Sequence, residues 1–127
     1  MEPAQPGRPL GRIDGYEVLG GVARGAGGVV LRARDPKLDR EVALKLFHGE
    51  LDPTRLERFR REAEALALLR HPNVLNVHDA GVHEGRPYLV LPFVAGESLG
   101  SALARGPLPI ERALELAEAL AHALAAV

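Results

Sequence analysis

Cysteine is absent from the 127 residues, which excludes disulfides, thiolate nucleophiles and cysteine-ligated zinc or iron–sulfur centres. The five histidines show no paired ligand spacing, so no metal centre is expected from them either. Neither sign of charge is in excess. With 16 Lys+Arg against 17 Asp+Glu, nucleic acid and anionic membrane surfaces are not expected partners. Long apolar runs are also missing: no window approaches the roughly 18 apolar residues that cross a bilayer, and "MEPAQPGRPLGRIDG" carries no apolar stretch of the signal-peptide kind. There is no internal repeat and no low-complexity tract. What the chain does have is 46% hydrophobic residues, enough to bury one real core at about one domain's length.

Residues 1–15 are rich in Pro, Gly and charge without a period, and read as a flexible arm. From Tyr16, "YEVLGGVA" and "VVLRARD" are apolar or alternating runs separated by the glycine-rich "RGAGG". The turn "DPKLDR" then leads into "EVALKLF", which makes three consecutive antiparallel strands. Residues 52–70 open on Asp-Pro and repeat Leu56, Phe59, Ala63, Leu66 and Leu69 at helical spacing. Two further strands are expected in "VLNVHDAGV" and "RPYLVLPFV", joined at Gly85. After "AGES" come a short helical piece from Leu99 to Ala104, the breaker "RGPLP", and a helix over 110–127. That last helix is apolar over a wide arc (Ile110, Leu114, Ala117, Leu120, Ala121, Leu124), and it reaches Val127 without a Gly, Asn or basic cap. The predicted class is α+β: a five-stranded antiparallel sheet with one packed helix, followed by two helical segments.

Two charged residues stand out against apolar surroundings. In "EVALKLF", alternation puts Ala43, Lys45 and Phe47 on one face and Val42 and Leu44 on the other. An ammonium among such neighbours needs an anion or a route to water. On the helix, Glu62 borders Phe59, Leu66 and Leu69, so a Lys45–Glu62 pair accounts for both charges; an edge-strand lysine and a Glu62–Arg58 pair one turn earlier account for them equally well. The loop "ARGAGGVV" is the third feature. Glycines between two strands let backbone amides approach phosphate oxygens, yet the pattern here is A-x-G-x-x-G-x-V, with no strict G-x-G-x-x-G and no G-K-[ST]. By itself it is equally a glycine-rich hairpin turn.

In order and combination, "YEVLGGVARGAGGVVLRARD…REVALKLF…RLERFRREAEALALLRHPNVL…YLVLPFVAGESL" resembles the N-terminal lobe of a protein kinase, in particular the bacterial serine/threonine kinases of eukaryotic type, from Tyr16 to the end of the chain. The resemblance implies a kinase N-lobe and hinge over 16–94 and the start of a C-lobe over 95–127. It implies that the loop of Ala23, Arg24, Gly25, Ala26, Gly27 and Gly28 covers the phosphates of ATP, and that Val22, Val30 and Ala43 roof the adenine. It further implies that Lys45 holds the α- and β-phosphates and is oriented by Glu62, and that Leu91 is the gatekeeper. The Pro92 carbonyl and the Val94 amide would then meet the adenine. His71, in "HPN", reads as a turn residue, and Glu97 as a solvated loop charge rather than a ribose ligand. Ala23 stands where the family's first loop glycine usually is.

The H-R-D-x-x-x-x-N, D-F-G and A-P-E segments are not in the chain, so the substrate base and the ligands for Mg²⁺ are absent from it, and no metal-site residue is expected. The leading expectation is therefore the ATP-binding front portion of a kinase whose complete form phosphorylates protein Ser/Thr hydroxyls, inactive as an isolated chain and cytoplasmic, with a membrane anchor in further sequence compatible with it. A stand-alone pseudokinase-like module that binds a nucleotide or a partner is the alternative. A purely structural sheet-plus-helix domain comes third, because it requires several ordered coincidences.

Overall fold

The computed structural model describes residues 10–25 and 27–127. Six strands form one antiparallel sheet: β1 (Gly11–Ile13), β2 (Tyr16–Gly25), β3 (Gly28–Asp35), β4 (Arg40–Phe47), β5 (Asp79–His83) and β6 (Arg86–Pro92), in the order β1-β2-β3-β4-β6-β5. One strand more than expected is present. Its source is Gly11–Ile13, inside the stretch read as an arm, which pairs with Tyr16–Val18 and buries Ile13 in the core. The fourth expected strand, observed as β5, also starts later, at Asp79 rather than near residue 74. Helix α1 (Pro53–Leu68) follows β4, and α2 (Leu99–Ala104) and α3 (Ile110–Ala126) complete the order.

The described chain divides into two compact units, one comprising the sheet with α1 and Asn76–Phe93, the other Leu69–Leu75 with Val94–Val127. In the first unit, alternation along the strands sends Val18, Leu31, Ala33, Val42, Leu44, Leu46, Tyr88 and Val90 into a single core. Val42, Leu44 and Val90 are fully buried, each such side chain contributing about 1.5–3 kcal/mol by leaving water. Two bulges in β2, at Leu19 and Val22, shift its register against β3 and sharpen the twist of the sheet. Edge strand β5 is covered by α1, whose Phe59 ring meets Phe47 edge-on at 5.6 Å. Asp52 caps α1, its carboxylate accepting from the Arg55 amide at 2.9 Å, with Pro53 at the first helical position.

In the second unit, Ser98 caps α2 by accepting from the Ser101 amide at 3.1 Å. The Asn73 side chain donates to the Ala119 carbonyl of α3 at 2.9 Å. His71 shapes the turn before it, its carbonyl accepting from Val74 and its ring from Asn73.

Tyr88 is the polar element of the core: it is buried and donates to the Asp14 carboxylate. Burial first, then the bond to Asp14, pushes its pKa up. Burial and the Asp79 carboxylate do the same to Tyr16, whose hydroxyl lies 3.4 Å from Asp79. The folded state therefore holds both phenolic protons more tightly than the unfolded chain does. The stability they bring is fully present below the ordinary tyrosine pKa of about 10 and is lost as pH climbs from there towards the higher folded values. Urea unfolding followed across this range should give a midpoint that is flat up to about pH 9.5 and falls above about pH 10, with a shallower fall in Tyr88→Phe.

Candidate functional site

Strand β4 carries the centre of the site, and its neighbours' register assembles the rest. Ala23 stands opposite Val30, Val30 opposite Lys45, and Lys45 opposite Leu89; one pair along, Arg32 faces Ala43 and Ala43 faces Leu91. Directly opposed residues share a face of a sheet. Ala23, Val30, Ala43, Lys45 and Leu91, from four strands, thus lie together on the face opposite the core. Val22 is the extra residue of a bulge in β2 and is 54% exposed. Pro92 ends β6 opposite Val42. Val94 is exposed and belongs to the second unit.

The glycine-rich segment is a β-hairpin closed by the Gly25–Gly28 pair, with Gly27 in its turn; Ala26 lies outside the described residues. Only glycine fits at position 28. Its φ is +151°, and a Cβ there would come within 2.1 Å of the Leu46 carbonyl oxygen on β4. His48 anchors the hairpin from behind: its amide donates to the Gly27 carbonyl at 3.1 Å, and its ring Nε2 lies 3.2 Å from the Gly25 carbonyl. Arg24 pairs with Val29 across the ladder, so its side chain stands on the face away from Lys45 and only its backbone belongs with the loop.

Lys45 is exposed, and its Nζ lies 5.3 Å from the centre of the Phe47 ring. Among the described residues no ion pair joins it to Glu62, which is exposed on α1. The two are brought to neighbouring elements but not into contact. On the same face as Ala43, Arg32 donates from Nε to Glu41 at 3.2 Å and stacks 5.4 Å from the centre of the Phe93 ring; the bond to Arg32 holds the Glu41 carboxyl below its ordinary range. Glu97 pairs with Arg105 at 2.6 Å. Among the described residues no cluster of three His, Asp or Glu is placed to hold a metal ion.

A half-exposed apolar face, one unpaired ammonium and a hairpin whose glycines expose backbone form a surface suited to a flat ring with a phosphate chain. Residues 16–127 match the protein kinase domain family. The chain belongs to the protein kinase family. It is 40% identical over 118 residues to the serine/threonine-protein kinase pkn2 of Myxococcus xanthus, covering 91% of this chain and 14% of that protein. To the serine/threonine-protein kinase PknA of Mycobacterium tuberculosis it is 43% identical over 111 residues, covering 81% of this chain and 26% of the relative. The crystal structure of the Mycobacterium tuberculosis PknI kinase domain superposes with a TM-score of 0.79 at 30% identity, over 90% of this chain and 48% of that one. The chain therefore spans about half the length of that solved kinase domain and a smaller part of the curated relatives.

Within this kinase lobe, sequence reasoning missed His48 and Arg32. A histidine directly after a strand carries no signal until the hairpin folds back to present the Gly25 and Gly27 carbonyls. Arg32 is a strand residue whose partners, Glu41 and Phe93, are set by register. Gly28→Ala in this lobe must displace the β4 backbone, so urea unfolding should show a loss of about 1–3 kcal/mol with an unchanged m-value. Gly25→Ala, with nothing within 4 Å of its Cβ, should cost less.

Proposed function

We propose that this chain is the ATP-binding portion of a serine/threonine protein kinase. The observation that carries the reading is the register that sets an unpaired Lys45 beside Val30, Ala43 and Leu91, under a glycine hairpin. In this reading Val22, Val30, Ala43 and Leu91 enclose the adenine, with the Pro92 carbonyl as its polar partner. Backbone amides from Ala23 to Gly28 meet the phosphates, where glycine leaves room for close approach. Lys45 gives a compact charge to the α- and β-phosphates, exchanging its contact with Phe47 for a stronger, charge-assisted one. Glu62 orients Lys45 in the nucleotide-bound state.

Mg²⁺ would neutralise phosphate charge in the family reaction. The described residues supply no ligand set for it, so no step of this chain's chemistry runs through the metal. Transfer of the γ-phosphoryl group to a protein Ser or Thr hydroxyl belongs to the complete enzyme, because the H-R-D and D-F-G residues are not among these 127. Among the described residues no helix is long and apolar enough to cross a membrane, and a cytoplasmic site, where ATP is available, is part of the same proposal.

Titration calorimetry with ATP tests this. A charge-assisted contact is worth about 1.5–3 kcal/mol, so Lys45→Met should weaken binding about 10- to 100-fold while the fold is retained. Glu62→Gln should weaken it less, and neither protein should transfer phosphate to a substrate protein. Equal affinities in wild type and Lys45→Met would overturn the reading.

A further inference from the structure

The face of the sheet opposite Lys45 carries a second cationic feature. At the hairpin end of that face an open cavity of about 680 Å³ is lined by Arg24, Val29, Leu31, Leu46, His48 and Arg86, with no carboxylate among its lining residues. The register explains the grouping. Arg24 is opposite Val29, Val29 opposite Leu46, and Leu46 opposite Tyr88, two residues along from Arg86. His48 follows Leu46 at the same two-residue period. Three strands thus deliver three basic side chains to one place.

Their lack of partners is not a matter of composition, since acids and bases are balanced in this chain. On the sheet the other described arginines, Arg12, Arg32, Arg34 and Arg40, find carboxylates; Arg55, Arg60, Arg61, Arg105 and Arg112 do so in or beside the helices, while Arg58 of α1 finds none among the described residues. Arg24 and Arg86 have none among the described residues. Two of the three are also held in place: Arg86 donates from Nε to the Phe47 carbonyl at 3.0 Å, leaving its terminal amino groups to the cavity, and the His48 ring is fixed at Gly25. Two guanidiniums, one of them anchored through Nε, with leucine and valine behind them, match the dianion of a phosphate monoester in charge; the His48 ring, whose Nε2–H is given to the Gly25 carbonyl, adds a donor at Nδ1 in its protonated form.

We propose that this cavity is a phosphate-binding site, separate from the nucleotide face, that takes a phosphorylated side chain or free phosphate. An anion held there bridges Arg24 at the end of β2 to His48 and Arg86 beyond β4 and at the start of β6. It therefore fastens the glycine hairpin to the two strands behind it. That the fastening affects nucleotide binding rests on the function proposed above; the anion site itself does not.

The experiment is amide chemical-shift titration of the full 127-residue chain with inorganic phosphate, a short phosphothreonine peptide and the same peptide unphosphorylated. The expected result is a saturable response at Arg24, Gly25, Val29, His48 and Arg86 to both phosphate ligands. The unphosphorylated peptide should bind at least about tenfold more weakly than its phosphorylated form. A peptide affinity well above that of inorganic phosphate assigns the site to a phosphorylated chain, and equal affinities assign it to free phosphate. Lys45→Met should keep the response. Arg24→Gln should weaken it severalfold, and because the Arg24 side chain has no structural partner this variant guards against misfolding in Arg86→Gln. No response at these amides, or an undiminished one in both arginine variants, would overturn the proposal. Loss of ATP binding in Lys45→Met with the phosphate response intact separates this site from the nucleotide reading.

Discussion

Val30 opposite Lys45, and Lys45 opposite Leu89, is the pairing on which both faces of the sheet depend. Side chains alternate strictly along a strand, so a slip of one residue would carry Lys45 into the core and expose Val42, Leu44 and Leu46 together. Burial of Val42, Leu44 and Val90 forbids that slip. Hydrophobic burial on one face thereby sets the chemistry of the other. The close approach of Gly28 to the Leu46 carbonyl adds a local lock at the hairpin, because any side chain there would push β3 away from β4.

Electrostatics divides along the same faces. Exposed arginines and carboxylates pair across strands and along α1, each pair worth little on a solvated surface. On the strands, the cations without a carboxylate among the described residues are Lys45, Arg24 and Arg86, and they are the informative ones. Lys45 rests against Phe47, which itself meets Phe59 of α1, so a contiguous aromatic contact joins the lysine to the helix that carries Glu62. Arg24, His48 and Arg86 collect on the opposite face around the same hairpin. The glycine loop is therefore bordered by positive charge from both sides, with the backbone of β2 and β3 between.

Much of this is legible in the sequence because it follows from short periods. Alternation in "EVALKLF" gives the faces of β4, and the spacing of Leu56, Phe59 and Ala63 after Asp-Pro gives α1. The kinase resemblance rests on ordered motifs, and the family match covers the same span. Features made by distant partners are not legible. Strand β1 has one buried residue, Ile13, and forms only because β2 offers an edge. Val77 is buried without belonging to a strand, so a run that reads as strand from residue 74 first bonds to β6 through the His78 amide and becomes a strand at Asp79. Gly81 looks like any strand glycine until the Tyr88 ring is found where its Cβ would be. A side-chain pair between a strand and a helix, as for Lys45 and Glu62, depends on how far the helix stands from the sheet, which no local pattern encodes.

The most direct test is amide chemical-shift mapping of the chain on adding Mg-ATP. The largest changes are expected at Ala23, Gly25, Val30, Ala43, Lys45 and Leu91, in the cross-strand pattern of the ladder, with much smaller ones at Val42, Leu44 and Val90 on the other face. Changes confined to the core-side residues, or none at saturating nucleotide, would contradict that expectation.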